Sequence, residues 1–118
     1  MLNRVVHRDP LTLDRTLAAV ADPKRREILD RSATGPVSIS TLADLLEMSL
    51  PGVLKHVRVL EEADLLITHK VGRARFCELS PRPLDEVAGW VEDRRRRWCQ
   101  LLDRFAEHVA ERGEGGRE

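Results

Sequence analysis

Apolar residues recur at helical spacing in the middle of the chain, in the stretch MSLPGVLKHVRVLEEADLL that begins at Met48. Val53, Val57 and Leu60 have the i, i+4, i+7 spacing of one buried stripe, so they predict a helix over about residues 49–63. A second set of side chains points away from that stripe and needs a different explanation. The residues in this second set are Leu50, Leu54, Lys55 and Arg58.

Three shorter helices are predicted before this one. The first runs from about Leu11 to Val20, is opened by Asp9 and Pro10 or capped at Thr12, and turns Leu13, Leu17 and Val20 inward. The second has Asp22 as its N-cap and Pro23 at its first position, where the missing N–H is not needed. Ile28 and Leu29 form its apolar face, and the helix ends by residues 34–36. The third is capped by Ser38 and contains Leu42, Leu45 and Leu46.

Only a short link separates the third helix from the fourth. Ser49 can cap the fourth helix, whose first turn tolerates Pro51. Two helices joined in this way, with the second amphipathic and basic near its start, are typical of a helix-turn-helix. Helical hairpins of this sort also occur in proteins that do not contact DNA.

Two strands follow, over about 65–71 and 75–80, and the short glycine-containing stretch Gly72-Arg-Ala predicts a hairpin turn between them. This hairpin resembles a wing. Lys70, Arg73 and Arg75 cluster at its tip, and residues 65–77 contain no acidic side chain. We therefore expect the wing to lie against a phosphate backbone, with an ordinary solvated turn as the alternative.

A long helix from about Leu84 to Val109 carries an apolar stripe that recurs every seven residues. The stripe is too long for a small core to cover, so it predicts that the same helix of a second copy of the chain packs against it. The first helix is expected to contribute to this dimer interface as well. The predicted dimer-interface residues are Leu13, Leu17, Val91, Trp98, Leu101, Leu102 and Phe105. The chain is then one domain over residues 1–110 with a disordered tail over 111–118.

Composition narrows the class of protein. A chain of 118 residues with 42% hydrophobic and 34% charged residues suits one small domain. Its formal net charge of zero neither indicates nor excludes a nucleic-acid partner, because binding depends on where the basic groups cluster. Two cysteines are too few for a disulfide framework, and the first ten residues lack the apolar core of a secretion signal, so we expect a cytoplasmic protein. No apolar run approaches the roughly 20 residues that span a bilayer.

The order of these elements resembles the ArsR-type winged helix-turn-helix transcriptional regulators, over about residues 13–109. The most specific matching stretches are 21–29, ADPKRREIL; 48–60, MSLPGVLKHVRVL; and 72–76, GRARF. Residues 90–98 are similar to a subgroup that is encoded beside small START-like proteins and lacks the metal-sensing cysteine motif. The resemblance implies a fold that is mainly α with a small β-hairpin, a winged helix-turn-helix of five helices plus a two-stranded wing. It also implies a homodimeric repressor that binds a palindromic operator in double-stranded DNA.

Carried over residue by residue, the resemblance assigns DNA contacts to the fourth helix and the wing. Including Lys70 from the wing cluster and His56, the predicted DNA-binding residues are Ser49, Leu50, Gly52, Leu54, Lys55, His56, Arg58, Lys70, Arg73 and Arg75. Several have a simpler alternative: Ser49 caps its helix, Lys55 is solvated, and Leu54 is a core or dimer contact.

His56 has three interpretations: a metal ligand, a phosphate contact, or a half-buried hydrogen-bonding support. Two positions depart from the family's pattern. Leu54 stands where a serine is usual and can contact thymine methyl groups but cannot hydrogen-bond a base edge. Asp64 stands where a glycine is usual, and it can adopt the left-handed conformation at some energetic cost.

We predict no metal site, no cofactor and no catalytic residues. The third helix lacks cysteine, and no metalloprotease, phosphate-loop or nucleophile-elbow motif is present. Cys77 and Cys99 are expected to be small buried residues, and the arginine run 94–97 a solvated face rather than an acidic-ligand site. No effector is identified. The alternative function is a winged-helix protein-interaction module without DNA binding.

Overall fold

The computed structural model describes residues 10–117, with the side chains of residues 11–112. The elements in chain order are α1 (Pro10–Ala19), α2 (Pro23–Ser32), β1 (Val37–Ser38), α3 (Ile39–Leu46), α4 (Leu50–Glu62), β2 (Leu66–Val71), β3 (Ala74–Leu79) and α5 (Arg82–Arg117). Among the described residues, five helices and a hairpin wing confirm the predicted fold class. The elements form two compact units, one ending at Val87 and one beginning at Ala88.

The core of the first unit is built by α2, α3, α4 and the strands. Val53, Val57 and Leu60 on α4 are fully or almost fully buried, which confirms the predicted stripe. From the other elements, the predicted Ile28, Leu29, Leu42 and Leu46 are buried as well. Leu45 is 43% exposed, because it lies off the face that α3 turns to this core.

Helix α1 begins and ends close to the predicted positions, but its inward face differs from the prediction. Thr16 and Ala19 are the buried residues, whereas Leu17 is 40% exposed. The Thr16 hydroxyl donates to the Thr12 carbonyl over 2.8 Å, which satisfies it and allows its burial. Helical spacing locates an apolar face but does not distinguish neighbouring ridges of it, so the prediction that Leu17 points inward was wrong.

The predicted N-caps of α2, α3 and α4 are confirmed. Asp22 accepts from the backbone N–H groups of Lys24 and Arg25, and the Ser38 hydroxyl accepts from the N–H of Thr41. Ser49 does the same for the N–H of Gly52. Asp9, which was predicted to open α1, lies outside the described residues.

Two non-glycine residues adopt the left-handed conformation where helices end. Asp64 has φ 61°, as predicted from its place after α4. Glu47, the C-cap of α3, has φ 55° and was not predicted, because glutamate is seldom found in this region of the backbone map.

The wing is an antiparallel pair of β2 and β3 that turns at Gly72, where φ is +63°. The short strand β1 adds to the outer side of β3, with Val37 opposite Cys77, so the sheet order is β1-β3-β2. The hairpin was predicted within one residue. A strand of two residues carries no alternation that a sequence pattern can detect, and β1 was therefore missed.

Helix α5 begins at Arg82 and continues to Arg117, further than the predicted end near Val109. Glutamate and arginine favour helices, and adding a residue to an existing helix requires far less free energy than starting one. Residues 111–117 are thus helical where a disordered tail over 111–118 was predicted, and Glu118 lies outside the described residues. A single domain over 1–110 stays a prediction. Within the described chain, no helix is long and apolar enough to cross a membrane.

Candidate nucleic-acid interface

Helix α4 exposes a basic face opposite its buried stripe. Lys55 and Arg58 are both exposed, while Val53 and Val57 are buried. At about 100° per residue, Lys55 and Arg58 lie roughly 140–200° around the helix from Val53. Two long cationic side chains thus project from the same face of a helix that is fixed to the core through its other side.

The first turn of α4 packs closely against its N-cap residue, Ser49. The N–H of Gly52 donates to the Ser49 hydroxyl over 3.2 Å. A Cβ at position 52 would lie 3.2 Å from both that hydroxyl oxygen and the Met48 methyl carbon, so a larger residue would crowd the cap. Ser49 is therefore a helix cap, and a phosphate contact from its exposed side chain stays a prediction.

The two leucines of α4 that were predicted to contact DNA have different surroundings. Leu50 is 49% exposed, but Leu54 is half-buried and packs against the core. For Leu54, the alternative of a core contact describes its position better than an exposed thymine contact does. Leu50 retains the exposed area that a thymine methyl contact requires.

His56 is half-buried and faces α2. Its Nδ1 lies 3.3 Å from Nη1 of Arg25. A guanidinium has only donors, so Nδ1 accepts and carries no proton in this arrangement. Of the three interpretations of His56, this is the geometry of a hydrogen-bonding support. Arg25 was missed, since its partner lies 31 positions away in the chain and no local pattern joins them.

The wing presents Lys70 and Arg73 at its exposed tip, and Arg75 beside them. Arg75 Nη1 donates to the Thr68 hydroxyl over 3.0 Å, and that hydroxyl donates to a Glu61 carboxylate oxygen over 2.6 Å. Arg75 is therefore linked to an acidic residue of α4. The absence of acidic residues within the wing sequence gave no sign of this, because Glu61 comes from another element.

The two cysteines differ in exposure. Cys77 is fully buried on β3; burial, helped by the charge of Glu61, raises the pKa of its thiol to about 11, while Arg75 opposes the shift. Cys99 is exposed on α5, which corrects the expectation that it is buried. Its apolar neighbours Trp98 and Leu101 are exposed as well.

Asp22 also has a perturbed carboxyl group. The N–H of Arg25 is the largest cause and lowers its pKa. Desolvation is the second largest and raises it, and the N–H of Lys24 and the charge of Arg25 lower it further, so that the net shift is downward. The negative charge at this helix N-terminus is thus retained at neutral pH, where it suits the helix dipole.

Helix α5 carries the predicted apolar stripe on its exposed surface. The stripe residues are 44–65% exposed, and they are Val91, Trp98, Leu101, Leu102 and Phe105. The arginine run beside them is partly engaged within the helix: Arg94 lies 4.7 Å above the Trp90 ring, and Arg96 pairs with Asp93 over 3.2 Å. These contacts agree with a solvated arginine face. Over the part of the chain that is described, no three His, Cys, Asp or Glu side chains are grouped to hold a metal ion.

Comparisons with known proteins agree with this geometry. A family model described as a helix-turn-helix domain matches residues 20–69, which include α2 to α4 and most of β2. The HTH-type transcriptional regulator Rv2034 of Mycobacterium tuberculosis is 35% identical over 101 residues, covering 86% of this chain and 92% of the relative. The transcriptional repressor SdpR of Bacillus subtilis is 25% identical over 67% of this chain and 88% of its own length.

Solved structures give the same result. An ArsR family transcriptional regulator, RHA00566, superposes with a TM-score of 0.72 at 37% identity, over 76% of this chain and 93% of the other. A homodimeric winged helix-turn-helix DNA-binding domain from Mycobacterium bovis, at 20% identity and a TM-score of 0.59, covers 69% of this chain and 75% of its own and supports the fold. From the exposed basic face of α4, the wing and these relatives together, the chain belongs to the ArsR family of winged helix-turn-helix, DNA-binding transcriptional regulators.

Proposed function

We propose that this regulator is a homodimeric repressor of a palindromic operator. The observation that carries the proposal is the pair of exposed cations on α4, Lys55 and Arg58, beside the cationic wing of the same unit. An α-helix fits the major groove of B-form DNA, and a two-fold dimer presents two such helices to half-sites about 10 base pairs apart.

The proposed contacts fall into two groups. Lys55 and Arg58 reach base edges or phosphates in the groove, and Leu50 contacts thymine methyl groups. Lys70 and Arg73 hold the flanking backbone, where each neutralised phosphate releases a counterion. The full proposed set keeps Ser49, Leu50, Gly52, Leu54, Lys55, His56, Arg58, Lys70, Arg73 and Arg75. Within it, Leu54, His56 and Gly52 act mainly by fixing α4, given their packing.

Dimerisation is proposed to use the apolar stripe of α5 together with α1. Large apolar side chains at seven-residue spacing with this exposure are characteristic of helices that are covered in an assembly. Leu17, exposed on α1, and Leu13 join them. The neighbour from Mycobacterium bovis is described as homodimeric, which supports the same arrangement here.

Repression is proposed because SdpR is named a transcriptional repressor. A dimer that occupies an operator overlapping a promoter excludes polymerase, so the regulator requires no enzymatic step. We also propose that it acts in the cytoplasm. The narrower relation to the subgroup encoded beside START-like proteins stays a prediction.

The proposal is tested by selecting genomic fragments with purified protein and footprinting the enriched sites. We expect protection of a palindrome whose half-sites are about one helical turn apart, with affinity that falls steeply as salt rises. Neutralising Lys55 and Arg73 together removes up to four phosphate contacts from a dimer. It should weaken binding and reduce the magnitude of the salt slope by up to about 3.6, since each phosphate contact contributes roughly 0.9.

The matched control, Arg31→Ala with Arg95→Ala, removes the same charge from exposed positions on α2 and α5 and should leave both quantities close to wild type. Equal losses in the two double variants would mean that net charge, rather than this surface, drives binding. Fragments with no shared sequence would contradict the repressor proposal.

A further inference from the structure

Arg25 connects three helices of the first unit through one guanidinium. Its Nε donates to the Ala19 carbonyl over 2.7 Å and its Nη2 to the Ala18 carbonyl over 3.2 Å, at the C-terminal end of α1. Its Nη1 is the partner of His56 on α4. Arg25 itself is fixed at the start of α2, where its N–H donates to Asp22. A single side chain thus holds the end of α1 and the side of α4 at a set separation.

The fork of the guanidinium makes this connection rigid. Its donors are coplanar and point in fixed directions, so the two carbonyls of α1 define where Nη1 must lie. His56 then has to bring its Nδ1 lone pair to that point. Since His56 follows Lys55 directly, the two side chains are about 100° apart around α4, and fixing one direction fixes the other.

We propose that Arg25, acting through His56, is a positioning residue that sets the rotation of α4 about its own axis and thereby the sequence specificity of the regulator. The inference rests on the proposed function, because it concerns how α4 reads an operator. A rotation of about 10° moves a side-chain atom some 5–6 Å from the helix axis by roughly 1 Å. That displacement breaks a hydrogen bond to a base edge but leaves the attraction of a cation for the phosphate backbone almost unchanged.

Through the same contacts, α1 also influences how α4 recognises the operator sequence. We have proposed that α1 joins the dimer interface, so Arg25 transmits the position of that interface to the recognition helix. The position of α1 would then affect base preference without any contact between α1 and DNA.

Arg25 can be changed without leaving a void in the core. It is half-buried and lies in the wall of an open surface groove of about 490 Å³, whose other lining residues are Arg15, Ala18, Ala19, Val59, Glu62 and Ala63. Water can therefore take up the hydrogen bonds that a shorter side chain gives up.

The test compares Arg25→Lys with Arg26→Lys. Both keep the positive charge. Arg26 donates to the Val20 carbonyl, directly after α1, over 2.8 Å, but within the described residues it makes no hydrogen bond to α4. We expect Arg25→Lys to raise the dissociation constant for the selected operator about tenfold, which corresponds to about 1.4 kcal/mol. Affinity for unrelated DNA should stay within about twofold, and Arg26→Lys should leave both affinities within that range.

His56 supplies a rescue experiment. His56→Leu removes the acceptor and should reproduce the tenfold loss, whereas His56→Asn keeps an oxygen at the distance of Nδ1 from the backbone and should restore most of the operator affinity. Combining Arg25→Lys with His56→Leu should be no worse than either change alone, because both remove the same contact. The base preferences selected by the Arg25→Lys protein should be broader than those of wild type.

This role for Arg25 would be overturned by any one of three results. The first is an equal loss of operator affinity and of affinity for unrelated DNA, the second is an equal effect of Arg25→Lys and Arg26→Lys, and the third is additive losses when Arg25→Lys is combined with His56→Leu. If those results came with a wild-type protein that selects a clear palindrome, the proposed function would stand and only the inference would fail. A wild-type protein without sequence preference would overturn both.

Discussion

Helices α4 and α5 have similar apolar spacing and opposite burial. The stripe residues of α4, Val53, Val57 and Leu60, are at most 1% exposed, whereas Trp98 and Phe105 on α5 are 57% and 65% exposed. The spacing of apolar residues predicts that a helix has a face to be covered. The spacing does not reveal whether that face is covered by the same chain or by another one. Comparing α4 with α5 shows that the burial of the side chains in the structure is needed to distinguish the two cases.

The largest effect is expected from placing charge on the α5 stripe. Trp98→Glu with Phe105→Glu would put four carboxylates into the proposed apolar dimer interface, so we expect the dimer dissociation constant to rise by at least about a thousandfold. Analytical ultracentrifugation over a concentration series measures it. Gln100→Glu is the control, since position 100 lies about 200° around the helix from Trp98 and should leave the dimer intact. An unchanged dimer in the double variant would show that another surface joins the chains.

Truncating an apolar side chain to alanine should affect stability in different ways on α4 and α5. Leu60→Ala on α4 should lower the free energy of unfolding by about 2–5 kcal/mol, because it opens a cavity in a closed core. Leu102→Ala on α5 should reduce stability mainly through the dimer, so its effect should depend on protein concentration. Urea denaturation at two concentrations at least about tenfold apart distinguishes these cases. A loss for Leu60→Ala as small as that of a surface change would contradict the buried stripe of α4.

The cysteines offer a smaller, chemical form of the same comparison. Alkylation requires the thiolate, and the pKa of about 11 keeps Cys77 protonated at pH 8 and through most of the range up to pH 10. We expect Cys99 to react with iodoacetamide at least about tenfold faster than Cys77 in the folded protein. Mass spectrometry of the digested chain measures the two alkylation rates. In denaturant the two rates should converge. Faster reaction of Cys77 would mean that β3 opens readily.

The smallest effect concerns the first turn of α4. Ser49→Ala should lower the free energy of unfolding by about 1 kcal/mol through loss of the cap, whereas Ser49→Asp should keep it, since aspartate is an equally good N-cap. If the exposed Ser49 side chain lies at a phosphate, Ser49→Asp should still weaken operator binding by repulsion. Thermal unfolding and a binding titration on the same samples separate the two roles. Wild-type affinity in the aspartate variant would leave Ser49 as a cap alone.

Local rules predicted those features of the fold that depend on neighbouring residues. The caps Asp22, Ser38 and Ser49 were predictable because each side chain bonds to a backbone N–H two or three positions later. The turn at Gly72 was predictable because glycine adopts positive φ without strain. The strand β1 was not, since two residues pair with β3 only after the wing has been brought to them.

For the candidate interface, the sequence identified the basic residues but not their connections. Lys55, Arg58 and Arg73 are exposed as expected. The link of Arg75 to Glu61 through Thr68 joins α4 to the wing, and the bond of Arg25 to His56 joins α2 to α4. Both connections join residues whose separation along the chain has no periodicity, so no local pattern could have indicated them.

The sequence by itself determined the order of the helices and the hairpin, the caps that begin them, and the position of cations on α4 and the wing. These follow from side-chain periodicity and from hydrogen bonds that close within a few residues. Only the tertiary structure decided that Leu54 packs inward, that Leu17 and Cys99 are exposed, and that Arg25 holds His56. Each of these depends on which surfaces meet across the fold, and packing of distant segments is settled by the shape of the whole core rather than by any one stretch of chain.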